Sequence, residues 1–417
     1  MLRIKNTHNS VVSSRLIKEF KKNKLNFLQS SYYIIIGVLF FFITACNGQS
    51  EIIVAANSTE SYIHLLKSKK VAIVANQTSV IFKNSSSLLY THLVDSLLAR
   101  NIHITNVFSP EHGFRGKSDA AEHVANRTDT KTGLPIISLY GKNKKPSSAQ
   151  LKSIDMVLFD IQDVGVRFYT YISTLHYVME ACAENNIPLI VLDRPNPNAH
   201  YIDGPTLNIK YKSFVGMHPV PLVYGMTIGE YAKMINGEQW LKNKIICDLT
   251  VIPLKNYTHK STYNLPILPS PNLPNSKSIN LYPSLGFFEG TPINAGRGTE
   301  FQFQRFGSSK FEKTNFSYSP KANFGSKHPK DQNMVCYGFN LKNEDRLNKV
   351  SISWLKKAYD LYPNKEAFFG KTFTIHAGNK TLRKQLENNF PTKKIEDSWK
   401  TEIEKFKFVR EKYVMYE

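Results

Sequence analysis

Cysteine is scarce in this chain of 417 residues, with only four, at positions 46, 182, 247 and 336. No disulfide framework is available, so stability has to come from a packed core. Long apolar runs are missing as well. Tyr32 to Ile43 is too short for a membrane-spanning helix, which needs about 20 residues. No Gly-x-Gly-x-x-Gly follows an apolar strand, which removes the usual dinucleotide cradle. No His-Glu-x-x-His, zinc-finger spacing or close His/Asp spacing offers a metal site, and no Gly-x-Ser-x-Gly offers a nucleophile elbow. Gly113 to Ser118 imitates the end of a phosphate loop, but Glu111 stands where its first glycine belongs. Neither a cofactor nor a metal is expected. Acidic residues are also few, 33 against 54 Lys and Arg, leaving a net charge of +21. No aromatic RNA-binding motif or heptad repeat accompanies that charge, so nucleic acid is not the expected partner.

Part of the charge lies at the start. Residues 1–30 carry seven Lys/Arg against one Glu, and the apolar Tyr32 to Ile43 ends in Thr44-Ala45-Cys46. A basic start, a short apolar core and small residues at its end make an export signal. Its end resembles a bacterial lipoprotein signal, which implies lipidation of Cys46 and anchoring to a membrane on the periplasmic side or at the cell surface. The expected organisation is a signal over 1–46, a tether over 47–61, a Rossmann-like domain over 62–264 and a smaller α/β domain over 265–417. The exported part remains basic, which suits an acidic surface such as cell-wall polymer or anionic lipid.

From residue 70 onward, apolar strands alternate with helical segments. Val71 to Ala75, Ile104 to Phe108, Ile136 to Leu139, Met156 to Phe159, Leu189 to Leu192 and a strand near Leu249 to Leu254 are separated by helices over Ser87 to Arg100, Phe168 to Asn185 and Thr227 to Asn236, with a short helix before Met156. Nearly continuous apolar strands in such an order predict a doubly wound parallel sheet covered on both faces. Phe168, Ile172, Leu175, Met179 and Cys182 recur at a 4-3-4-3 spacing, which marks a buried helix face and makes Cys182 a core residue. Pro266, Pro269, Pro271, Pro274 and Pro283 predict little regular structure over Leu265 to Pro283, a linker that wraps the site. The tail predicts strands near Cys336 to Asn340 and Thr372 to Ile375, and helices near Ile352 to Asp360, Lys380 to Asn388 and Ile395 to Phe408.

Five of the strands run into polar side chains: Asn76, the Ser109-Pro110-Glu111-His112-Gly113-Phe114-Arg115-Gly116 stretch, Tyr140, Asp160 and Asp193-Arg194. Polar chemistry at the carboxyl ends of buried strands is where an α/β fold keeps its site. Glu111, on a glycine-containing loop beside Phe108 and Phe114, is placed to have its pKa raised by burial and to act as a general acid, the alternative being an ion pair with Arg115. A general acid of this kind normally works with a second group, a base or a nucleophile. Asp163, Glu289 and Glu300 are the candidates, although Asp160 and Asp163 both follow one strand, where an Asp can simply cap the next helix.

Five segments together resemble the exo-β-N-acetylmuramidase family once catalogued as a domain of unknown function. They are Ser109 to Gly116, Asp160 to Tyr171 (DIQDVGVRFYTY), Leu192 to Pro197 (LDRPNP), Tyr224 to Glu230 (YGMTIGE), and Glu289-Gly290-Thr291 followed by Gly296-Arg297-Gly298-Thr299. The similarity spans about residues 62–417 and departs from the family pattern after Thr299, where Glu300 to Gly307 replaces a shorter, proline-containing segment. It implies release of terminal N-acetylmuramic acid from the non-reducing end of peptidoglycan fragments, in a pocket between a Rossmann-like domain and a smaller one. The lactyl carboxylate of that sugar suits a bidentate guanidinium, for which Arg115, Arg167, Arg194 and Arg297 are candidates. His112 and Asn196 suit hydroxyl or acetamido contacts, Tyr169 and Tyr171 suit stacking on or hydrogen bonding to a sugar or, for one of them, a place in the core, and Asp160 and Asp193 complete the expected pocket; assistance by the sugar's own acetamido group is the alternative to a second carboxylate. A periplasmic module that binds an acidic amino sugar without cleaving it is the alternative from another class.

Overall fold

A computed structural model describes residues 51–83, 89–111, 113–116 and 127–417. Its strands, in chain order, are β1 (Val71–Ala75), β2 (Val80–Phe82), β3 (Tyr90–His92), β4 (Ile104–Ser109), β5 (Arg127–Thr128), β6 (Pro135–Ser138), β7 (Met156–Asp160), β8 (Leu189–Leu192), β9 (Leu249–Ile252), β10 (Arg305–Ser308), β11 (Ser317–Tyr318) and β12 (Cys336–Asn340). Seven of them form one sheet in the order β5-β6-β4-β1-β7-β8-β9. All neighbours in it are parallel except β5 against β6. Leaving out the antiparallel edge β5, the six parallel strands lie in the order 3-2-1-4-5-6 of the Rossmann arrangement, which reverses between β1 and β7.

The strands are apolar throughout because both faces are covered. Ala72, Val74, Phe108, Phe159, Leu189 and Val191 face one core; Val71, Ile73, Ala75, Leu158, Ile190 and Leu192 face another, under the helix Leu93–Ala99. The first core also takes in Phe287, Phe306, Leu355 and Phe406 from the C-terminal part, so the apolar interior is continuous across both sheets. The helix Tyr171–Glu184 lies in it with Ile172, Leu175, Met179 and Cys182 all buried, as their spacing predicts. Cys182, Cys247 and Cys336 are buried free thiols.

The smaller C-terminal part has an antiparallel sheet in the order β10-β12-β11 with the helices Ser276–Leu285, Ser353–Leu361, Phe373–Ala377, Thr381–Glu387, Thr392–Asp397 and Lys400–Arg410. Four sequence expectations fail here or earlier. The helix expected from Ser87 begins at Leu93, because Tyr90–His92 pairs with Val80–Phe82 and the His92 Nδ1 caps the helix by accepting from the Val94 amide, 3.3 Å away. The proline-rich stretch contains the helix Ser276–Leu285, capped by Asn275. Pro283 lies within it and cannot donate to the carbonyl of Ile279, which instead accepts from Asn198 Nδ2 at 3.1 Å. The strand expected at Thr372 to Ile375 is the short helix Phe373–Ala377, closed by Gly378 at φ 76°. The last helix is two, broken at Ser398 and Trp399.

Candidate active site

The carboxyl ends of β1, β4 and β7 meet at the point where the strand order reverses. After β1, Asn76 Oδ1 accepts from the amide and hydroxyl of Thr78, at 2.9 and 2.6 Å, and the Thr78 hydroxyl in turn accepts from the Gln162 amide beyond β7 at 3.0 Å. The ends of two central strands are thereby locked together. Asp163 follows, 3% exposed. Its Oδ2 accepts from the Gly165 amide at 2.6 Å and from the Tyr224 hydroxyl, while its buried Oδ1 has no hydrogen bond of good geometry. Burial pushes this carboxyl up to about 6, against the opposing pull of Tyr224 and the Gly165 and Val164 amides. Gly165 must be glycine: it has φ +74°, and a Cβ there would stand 2.3 Å from the Asn196 amide group.

After β4, Glu111 is half-buried. Thr170 Oγ1 lies 3.4 Å from its Oε2 and the Tyr171 hydroxyl 3.5 Å from its carbonyl oxygen. The Tyr140 hydroxyl donates to Glu111, and burial together with that negative charge pushes Tyr140 up to about 12. Burial is more complete at Asp163 than at Glu111.

From Glu111 an aromatic wall leads to the C-terminal part. Tyr171 packs edge-on against Tyr169 at 4.8 Å, Tyr169 against Tyr282 at 6.2 Å, and Tyr282 against Phe303 at 4.7 Å. The Arg297 guanidinium lies 5.2 Å from the Phe303 ring. Tyr282 sits at the centre: burial raises its pKa, and it feels the charges of Arg297, Glu289, Glu111 and Asp163 together. Arg297 Nε donates to Glu289 Oε1 at 2.8 Å, both side chains about a quarter exposed at 27% and 26%. Burial would raise Glu289, but the charges of Arg297 and Lys330 overcome it and hold the carboxyl near 2. Lys330 is itself fixed by donating to the Phe288 carbonyl at 2.6 Å. His376 lies 5.7 Å from Phe168, and its Nδ1 donates to the Thr372 carbonyl at 3.0 Å. Burial lowers its pKa, so the neutral ring keeps Nε2 as an acceptor. The wrapping role of the proline-rich stretch is visible at Pro269, whose carbonyl takes the Tyr169 hydroxyl at 2.7 Å.

Several residues expected in the pocket are instead engaged within the protein. Arg115 bonds Asp129 through Nε and Nη2, at 2.9 and 2.7 Å, and reaches Asp95 at 3.0 Å. Arg167 is fully buried, its guanidinium donating to the carbonyls of Pro205, Val220, His376 and Ala377. It ties the Rossmann-like sheet to the helix Phe373–Ala377, and burial lowers its pKa to about 9. Arg194 makes a bidentate pair with Asp160, at 2.6 and 2.8 Å, both buried. Asp193 accepts from Thr227, the Gly229 amide and Tyr416, and Asn196 spans the Met226 carbonyl and the Asn198 amide. These groups are buried and bonded within the protein, so substrate contact by Asp160, Arg167, Asp193, Arg194 and Asn196 is not supported; Tyr171 and Tyr169, 2% and 8% exposed, are core rings rather than a stacking face, and Arg115 is already engaged by two carboxylates. Glu300 is exposed on the loop after Thr299. His112 and Cys46 lie outside the described residues.

Sequence reasoning placed Tyr140 at a strand end and Tyr224 in a family-like segment without giving either a role, and it missed Tyr282, Lys330 and His376. Tyr282 sits among residues that read as linker, and Lys330 and His376 belong to segments with no motif. Among the described residues, no group of three or more His, Cys, Asp or Glu side chains could hold a metal ion.

Comparison with known proteins adds an independent line. The family model for the N-terminal part of exo-β-N-acetylmuramidase NamZ matches residues 71–277, and that for its C-terminal part matches residues 280–416. The chain is 40% identical over 378 residues, covering 85% of it and 89% of the relative, to the peptidoglycan β-N-acetylmuramidase NamZ of Bacillus subtilis. Two solved structures of DUF1343 family proteins from Bacteroides fragilis are similar in fold, each covering 88% of this chain and 99% of its own. One is 44% identical with a TM-score of 0.81, the other 29% identical with a TM-score of 0.74.

Proposed function

The chain belongs to the exo-β-N-acetylmuramidase family, and from that premise we propose that it is an exo-acting glycoside hydrolase releasing terminal N-acetylmuramic acid from the non-reducing end of peptidoglycan fragments. The observation that carries the reading is the placement of Glu111 after β4 and Asp163 after β7, where the strand order reverses, with the Arg297–Glu289 pair across the packed rings Tyr171, Tyr169, Tyr282 and Phe303 from them. Of those rings only Tyr282 is half-buried, so a sugar would meet Tyr282 between the carboxyl groups and the guanidinium.

In this reading Arg297 takes the lactyl carboxylate. Of the four arginines expected for that task, Arg115 is held by two carboxylates, Arg167 is fully buried on four carbonyls and Arg194 is buried in its bidentate pair with Asp160, whereas Arg297 gives only Nε to Glu289. Its two terminal nitrogens have no hydrogen-bond partner among the described residues and present the parallel donors that a carboxylate accepts. Glu289, held ionised, orients the guanidinium rather than transferring a proton. Glu111 is the general acid that protonates the leaving oxygen, placed by Tyr140 and Thr170. Asp163 is the second carboxyl group, its pKa of about 6 close to a working pH and its plane fixed by Tyr224 and Gly165.

The basic start, the apolar Tyr32 to Ile43 and Cys46 support export and lipid anchoring. Among the described residues no helix is long and apolar enough to cross a membrane. The functional reading is tested by incubating the protein with a chromogenic N-acetylmuramic acid glycoside and following the released sugar by proton NMR. Release of free N-acetylmuramic acid is expected, and its first-formed anomer decides between retention and inversion; no release would overturn the assignment.

A further inference from the structure

The smaller sheet carries a groove that plays no part in the site above. It has a volume of about 510 Å³ and is lined by Phe316, Phe339, Trp354, Lys357 and Glu344. The three aromatic side chains are half-buried, as core rings are not, while Lys357 and Glu344 are exposed. Cations are set over the neighbouring rings: Lys357 Nζ at 3.8 Å from the Phe339 centroid, the Arg305 guanidinium at 5.3 Å from Phe316, and Lys342 Nζ at 5.1 Å from Phe301. Trp354 is the exception, since no ring or cation among the described residues stacks on it.

A flat aromatic face beside the exposed ammonium group of Lys357 suits a ligand that is flat and apolar on one side and negatively charged on another. Pyranose rings with pendant carboxylates have that chemistry. Lys357 is the cation of the lining and the Arg305 guanidinium lies against its Phe316 ring, facing the one lining carboxylate, Glu344, a balance that suits an acidic strand over a neutral one. The groove is also coupled to the cleft. Phe288, next to Glu289, stacks on Phe306 at 5.0 Å, and Phe306 lies 5.1 Å from Phe339.

We propose that this groove is a second glycan-binding site, which holds a peptidoglycan strand by stacking on Trp354 and by ion pairing with Lys357 while a terminal unit is removed at the Glu111 cleft. The proposal rests on the glycosidase reading and adds a polymer-holding function to it. Retention of the strand raises the local concentration of chain ends without any new contact in the catalytic cleft.

The test compares wild type, Trp354→Ala and Lys357→Glu in co-sedimentation with purified peptidoglycan sacculi and in kcat/KM on a small chromogenic N-acetylmuramic acid glycoside. Each variant is expected to bind sacculi about tenfold more weakly, the loss of one good contact, and to release correspondingly less sugar from them, with small-substrate kcat/KM within about twofold of wild type. Because Trp354 also packs on the core, the exposed Lys357 supplies a variant that does not disturb folding. Unchanged sedimentation of Lys357→Glu would overturn the proposal. So would an equal loss of binding to phosphatidylglycerol vesicles, which would mark a general anion surface. A wild type that sediments with sacculi but leaves the small glycoside intact would contradict the catalytic reading instead.

Discussion

Arg297 reaches back eight residues to Glu289, Nε to Oε1 at 2.8 Å, and this single bond leaves both terminal nitrogens of the guanidinium unengaged among the described residues. A carboxylate that uses one edge of a guanidinium fixes its plane and presents the other edge. Glu289 is suited to that because Arg297 and Lys330 keep it ionised against the effect of burial.

Arg297→Met is therefore expected to lower kcat/KM on N-acetylmuramic acid glycosides by 10²-fold or more, about 3 kcal/mol, as expected for losing one partner of a charge-assisted pair. Arg297→Lys should recover only part, since an ammonium cannot make two parallel bonds. The loss should be far smaller on N-acetylglucosamine glycosides, which lack the lactyl group. Equal losses on both would show that Arg297 supports the pocket rather than reading the carboxylate.

Glu111→Gln should fold normally and lose about 10²–10⁴-fold in kcat, because an amide has no proton to give to the leaving oxygen. The deficit should shrink with an activated leaving group. A near-wild-type rate on a poor leaving group would remove Glu111 from the mechanism.

Arg167→Met tests the reassignment of that residue from pocket to brace. Four carbonyls lose their donor in a buried place, so a destabilisation of about 3 kcal/mol or more is expected in denaturant unfolding, with KM on residual active protein little changed. A large rise in KM at wild-type stability would return Arg167 to the substrate.

Asp193 sets a pH dependence of stability. Burial, with the charge of Glu230 adding to it, pushes its carboxyl from 3.8 up to about 7, and Asp163 is pushed up to about 6. Between these limits the folded chain holds protons that the unfolded chain releases, so this contribution is fully present below about pH 4 and is lost as pH rises to 7. Asp129, held near 2 chiefly by its bond to Arg115, acts in the opposite sense and loses its contribution below about pH 4. Thermal midpoints should fall from pH 4.5 to 7.5 in wild type and fall less in Asp193→Asn. Identical slopes would show that Asp193 does not titrate there.

For the N-terminus, Cys46→Ser is expected to give a precursor that does not incorporate a palmitate analogue, while the wild type labels and partitions into detergent. Wild-type protein free of label in the soluble fraction would replace anchoring with simple secretion.

Much of this was legible beforehand. The parallel sheet announced itself because strands covered on both faces are apolar without a break, and β1 and β8 match their expected bounds. The position of Glu111 and Asp163 at strand ends followed from the same reading. The arginines were not legible: sequence gives the side chain but not the partner, and Asp129, Asp160 and the carbonyls of His376 and Ala377 claim three of the four through contacts far apart in the chain. Prolines misled at Ser276–Leu285, where Asn198 accepts the role of donor to the Ile279 carbonyl that Pro283 cannot fill. Tyr282 was invisible because a half-buried tyrosine between charged groups and one packed at the edge of a core have the same sequence surroundings.

The central claim is that Arg297 and the Glu111 end of the cleft together select and cleave an N-acetylmuramic acid unit. It is tested most directly by kcat/KM of the wild-type protein on matched chromogenic glycosides of N-acetylmuramic acid and N-acetylglucosamine. The account predicts a preference for the former of at least 10²-fold, about 3 kcal/mol, from the desolvated carboxylate–guanidinium pair; comparable values for the two sugars would contradict it.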